Sequence, residues 1–69
     1  MIWIDTKKEK PKEGEYVLIY LADDNYDIAY WDDFLKKWET HEDTYWENEN
    51  KVTHWARVIP PKPPKQSED

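Results

Sequence analysis

Imidazole is the one side chain whose unperturbed charge changes near neutral pH, and this chain carries two, His41 and His54. His54 stands between Thr53 and Trp55 in an alternating stretch. That setting predicts a packed, hydrogen-bonded ring on a half-buried strand rather than a general base or a metal ligand. His41, Glu42 and Asp43 adjoin one another and could join His54 around a metal, but no H-x-x-x-H or H-E-x-x-H spacing supports that chemistry. The pairs Asp23-Asp24 and Asp32-Asp33 have the composition of an acid and base couple. They fall where turns are expected, however, and there a solvated Asp is favoured for bonding its own backbone. Ser67 has no recognisable partner, there is no Cys, and a single glycine, Gly14, excludes a glycine-rich phosphate cradle. The expectation is a protein that is not an enzyme and holds no metal or cofactor.

The aromatic side chains carry more information. Five Trp, five Tyr and one Phe in 69 residues are more ring surface than so small an interior can enclose, since each large aromatic covers roughly 150–250 Å². Some rings must therefore face solvent, where aromatics make binding hot spots. Trp3, Tyr16, Tyr20 and Trp55 read as core. Trp31, Trp38, Tyr45 and Trp46, which sit among acids, read as the surface set. With Asp32, Asp33, Glu42, Asp43 and Glu47 as a charged rim, these four make the candidate protein-binding site.

Charge is unevenly distributed. Residues 1–14 carry +1, residues 15–50 carry −9 and residues 51–69 carry +2, for a net −6. A middle this acidic repels phosphate backbones and disfavours direct nucleic-acid binding, whereas a basic protein surface is attracted to it. The absence of cysteine removes disulfides and thiolate metal sites and fits a reducing cytoplasm. No apolar run approaches the roughly 20 residues that cross a bilayer, and Met1 to Asp5 is too short for a signal-peptide core. A soluble, unprocessed, cytoplasmic protein with no membrane association is expected.

The elements that must position these residues are extended. Ile2 to Asp5 reads as a first strand, followed by a charged loop that ends at Pro11 and Gly14. Glu15 to Ala22 is the clearest strand, with Tyr16, Leu18 and Tyr20 on one face and Val17, Ile19 and Leu21 on the other. Apolar groups on both faces mark it as central. Asp23-Asp24-Asn25 supplies a turn, and Tyr26 to Trp31 completes a hairpin with Tyr26, Ile28 and Tyr30 on one face. Asp32 to Lys37 reads as a connection to a strand around Trp38 and Thr40. His41 to Asn50 reads as a loop holding a short edge strand or one turn of helix, and Lys51 to Ile59 as a last strand. The fold class is all-β, with at most one short helical turn: a small antiparallel, strongly curved sheet or partly open barrel of about five strands, SH3-like in size. Residues 1–59 form the domain. The proline-rich tail of residues 60–69 cannot continue a ladder, because proline lacks the N–H.

Landmarks along the chain resemble a known family. Met1-Ile2-Trp3-Ile4, then Pro11 with Gly14-Glu15-Tyr16-Val17-Leu18-Ile19-Tyr20, then Val52-Thr53-His54-Trp55 before a proline-rich end, are similar to the short phage and prophage family catalogued as domain of unknown function number 551. Ala56 and Arg57 stand where that family usually has Met-Pro, and Glu39 to Glu49 is more acidic than its pattern. The resemblance implies a small β fold and a phage or prophage source, and it implies no activity.

Three functional readings follow. The first is an interaction module that binds a host or phage protein with a basic surface. The second is an acidic imitation of nucleic acid that inhibits a host nuclease or other nucleic-acid enzyme. The third is an aromatic platform for a small sugar or nucleoside. The tail itself is expected to latch in cis, Pro60 and Pro61 packing on Trp3 or Trp55. Truncation after Ile59 should then lower the melting temperature by several degrees in a circular dichroism melt, and an unchanged melt would remove the latch.

Overall fold

The computed structural model of the chain describes residues 2–59. The expected latch of Pro60 and Pro61 lies outside the described residues. Six strands are present: β1 (Ile4–Asp5), β2 (Val17–Leu21), β3 (Tyr26–Asp32), β4 (Lys37–Thr40), β5 (Thr44–Trp46) and β6 (Val52–Arg57), with one 3-10 turn at Glu47–Glu49. They form a single antiparallel sheet in the order β1-β6-β2-β3-β4-β5. The all-β expectation therefore holds, and the sheet is open rather than closed into a barrel. The strand beyond the expected five is β5, and the His41 to Asn50 stretch contains both the edge strand and the helical turn that were read as alternatives.

Turn chemistry sets the register. In the β2–β3 hairpin, Asp24 takes a left-handed φ of 69°, a conformation that Asp and Asn tolerate better than most residues. The Asp24 N–H bonds Leu21 O at 2.9 Å and the Leu21 N–H bonds Asn25 O at 2.8 Å. At the next turn, the Asp32 carboxylate accepts the Leu35 N–H at 3.0 Å and its carbonyl accepts the Lys36 N–H at 2.8 Å. The β4–β5 turn is organised by Thr40, whose buried Oγ1 accepts the Asp43 N–H at 2.7 Å. Gly14 takes φ 81° in the loop before β2, where a side chain would be strained.

β2 is central, as its two apolar faces require: it pairs with β6 on one side and β3 on the other. Its Val17, Ile19 and Leu21 face a core completed by Ala29, Trp31, Trp38, Val52 and Trp55. A register shift next to Tyr20 and Leu21 sets Val52 opposite Leu21, so both remain on the core face despite the odd spacing from Trp55. Thr6 closes the gap beside this bulge, its N–H bonding Thr53 O and its hydroxyl donating to Val52 O, both at 3.1 Å.

The loop between β1 and β2 covers the core face. The buried Trp55 indole donates to Glu9 O at 2.8 Å, Pro11 is buried, and the Lys10 ammonium lies 4.9 Å from the Trp31 ring centroid. The same ammonium bonds Glu47 Oε2 at 2.9 Å, which draws the segment after β5 towards the segment after β1 and curls the sheet around its core. Replacing Ile19, fully buried, by Ala should cost about 2–5 kcal/mol. Ile28→Ala, on the opposite face and 45% exposed, should cost less than about 1 kcal/mol. Urea unfolding of the two variants checks the difference, and equal costs would mean that the outer face is packed as well.

Candidate functional site: an uncovered aromatic sheet face

Alternation along each strand sends every second residue away from the core, and no second layer of the described residues covers that outer face. On β2 and just before it the outward residues are Tyr16, Leu18 and Tyr20; on β3 they are Tyr26, Ile28 and Tyr30. Register places Leu18 opposite Ile28 and Tyr20 opposite Tyr26, so two aliphatic side chains lie at the centre of a frame of four tyrosines. Tyr16 and Tyr30 meet edge to face with centroids 5.3 Å apart, and Tyr20 and Tyr26 do the same at 5.3 Å. β6 contributes His54 and Ala56, opposite Tyr20 and Leu18. Trp3 packs over this side of the sheet, 5.6 Å from Tyr20 and 6.1 Å from Tyr26. Tyr16 and Tyr26 are 63% and 62% exposed. Towards the far edge the face continues through the Lys37–Glu39 ion pair (2.8 Å) to Trp46, whose ring lies 5.7 Å from the Lys37 ammonium.

The residues expected from sequence to form the site do not make one exposed surface. Trp31 and Trp38 are each only 2% exposed and pack on one another with centroids 5.1 Å apart. Their surface assignment is corrected. Trp31 is five residues after Tyr26, so it falls on the core face with Ala29, and register carries its partner Trp38 with it. Tyr45, opposite Trp38, is half-buried against the same core. Trp46 alone of the four is exposed on the outer face. Of the acids, Asp32 caps the β3–β4 turn and Asp33 accepts the Trp31 indole N–H at 3.0 Å. Glu42 and Asp43 are exposed in the turn built on Thr40, and Glu47 holds Lys10. The converse assignment is corrected too: Trp3 and Tyr16, read as core, are exposed and Tyr20 is half-buried, whereas Trp55 is buried as expected. The signal for the outer face was present in the two-faced pattern of β2, because nothing elsewhere in the sequence offers a helix to cover its second face.

Electrostatics around the face follow from these pairings. The Tyr20 hydroxyl donates to Asp24 Oδ1 at 2.5 Å, and this bond to a carboxylate holds the Tyr20 pKa above its ordinary value. The Trp31 indole, then the Lys36 ammonium, holds Asp33 below the usual carboxylate range. Lys37, then Thr44, does the same for Glu39. His54 Nδ1 lies 2.9 Å from Thr53 Oγ1. Among the described residues, no group of three or more His, Asp or Glu side chains is placed to hold a metal ion, and no helix is long and apolar enough to cross a membrane.

This is a small single-sheet β protein in which a loop roofs one face and no described residues cover the other, aromatic face. The family model described as "Protein of unknown function (DUF551)" matches residues 2–65, and the chain belongs to that family. No curated protein and no solved structure matches it.

The lowered pKa of Asp33 carries a sign. A carboxyl whose folded pKa is depressed contributes stability above its unfolded pKa and loses it as pH falls through the folded one. Asp33→Asn, which keeps an acceptor for the Trp31 indole, should therefore be less stable than wild type at neutral pH. The two melting temperatures should converge as pH falls below the ordinary carboxylate range of about 4. Asp33→Ala should melt lower than Asp33→Asn at every pH; a gap between wild type and Asp33→Asn that does not change with pH would contradict the assignment.

Proposed function

We propose that this protein is an interaction module whose outer sheet face docks on a basic surface of another protein. One observation carries the reading: Leu18 and Ile28, framed by Tyr16, Tyr20, Tyr26 and Tyr30, form a contiguous apolar surface without a covering layer among the described residues. Soluble proteins rarely expose such a patch unless something binds it, and tyrosines supply contact area at low conformational cost. The net charge of −6, with Asp24 beside Tyr20 and Asp32 at the end of β3, favours a cationic partner and would speed its approach. The phage and prophage setting implied by the sequence resemblance points to a host or phage protein. Nothing in this role calls for catalysis.

The nucleic-acid-mimic alternative has less support. Asp33, Glu39 and Glu47, three of the acids it would rely on, are already bonded to Lys36, Lys37 and Lys10.

Affinity capture from a bacterial lysate, run in parallel with wild type, Ile28→Asp, Tyr16→Ser and the covering-loop variant Lys12→Ser, tests the proposal. A basic protein should be retained by wild type and by Lys12→Ser, released as salt rises, and lost with either outer-face variant. Equal capture by all four proteins rejects the docking face.

A further inference from the structure

At one end of the outer face, Trp3, Tyr20, Tyr26 and His54 line an open cleft of about 320 Å³. Three of these four described residues are electron-rich rings in mutual contact, with centroids 5.3–6.1 Å apart. None of the four is a lysine or arginine. Carboxylates stand at its margins: Asp24 accepts the Tyr20 hydroxyl, and Asp5 lies opposite His54 in the β1–β6 register. We infer that this cleft receives an arginine side chain of the partner, the guanidinium stacking on the rings while Asp24 supplies the opposing charge. The inference rests on the docking face proposed above and names the group that one part of it binds.

The chemistry of the cleft selects this occupant. A cation over an aromatic face is attracted by the ring quadrupole, and a planar guanidinium can stack on the ring and fork onto a carboxylate together, which a compact ammonium cannot do. A neutral sugar needs several free hydrogen-bonding groups around a stacking ring. Here the Tyr20 hydroxyl is committed to Asp24 and His54 Nδ1 faces Thr53. A phosphate would meet a protein of net charge −6 in a cleft that no lysine or arginine lines among the described residues.

Asp24 permits a clean test. Its φ of 69° is one that Asn also tolerates, so Asp24→Asn removes the charge and keeps the turn. The full chain, labelled with ¹⁵N, would be titrated with N-acetyl-arginine methylamide and separately with N-acetyl-citrulline methylamide, its neutral isostere. The arginine probe should give saturable shifts at the Trp3 indole N–H and at the Tyr20, Tyr26 and His54 amides, with the citrulline probe about tenfold weaker. Asp24→Asn should weaken the arginine probe several-fold at unchanged melting temperature, and Tyr26→Leu should abolish the shifts. Equal binding of the two probes, or full affinity in Asp24→Asn, overturns the inference. If either result comes with partner capture that still depends on Ile28, the cleft assignment alone fails and the docking face stands.

Discussion

A single antiparallel sheet has two faces, and the described chain is long enough to roof only one of them. The roof is the charged loop between β1 and β2. It contains little that is apolar apart from Pro11, so it is held on the core by polar contacts at specific points. The Trp55 indole reaches Glu9 O, the Lys10 ammonium lies over Trp31 while bonding Glu47 and Thr6 O, and Thr6 itself fills the bulge in β6. Each contact satisfies a polar group that burial would otherwise leave costly. Among the described residues no buried side-chain nitrogen or oxygen lacks a partner. With the loop committed to the face that holds Trp31 and Trp55, no other described segment covers Leu18, Ile28 and the tyrosines around them.

The same arrangement explains how a charged sequence keeps large indoles inside. Trp31 and Trp38 pack at a tilt across β3 and β4, and the Trp31 N–H is carried out to Asp33, an exposed residue two positions on. Several acids that look from composition like a free negative surface are the terminating partners of buried or half-buried groups. Asp33 ends Trp31, Glu47 ends Lys10, and Glu39 ends Lys37 and Thr44. These acids serve the fold, and only what is left over sets the field around the molecule.

Much of this was legible in residue order because turn formers and period-two alternation are local. Asp23-Asp24-Asn25 marks the first hairpin, the Val17/Ile19/Leu21 against Leu18/Tyr20 pattern marks β2 as central, and the landmarks from Trp3 to Trp55 carry the family resemblance. The site was less legible, for a physical reason. Neighbouring acids suggest exposure at Trp31 and Trp38, but a strand sends adjacent residues to opposite faces, so Asp32 says nothing about the side chain beside it. Counting by two from Tyr26 would have put Trp31 inside and left Tyr16, Tyr20, Tyr26 and Tyr30 together outside. What no local rule could supply was which face of β2 the loop would choose. That depends on contacts such as Trp55 with Glu9, separated by 46 positions.

The outward face would ordinarily be polar, since the exposed side of an antiparallel sheet usually alternates to hydrophilic residues. This chain has 26 charged residues, yet on the outer face of β2, β3 and β6 it places tyrosines, Leu18, Ile28, His54 and Ala56, and confines charge to Lys37 and Glu39 on β4 and to the strand ends. At its edges the opposite policy holds. β1 has two residues and β5 three, so little unpaired backbone is offered for strand addition, the usual route by which sheets aggregate. The negative charge also sets one copy against another. Short edges and like charge thus both act against self-association, while the tyrosine face has no covering layer among the described residues.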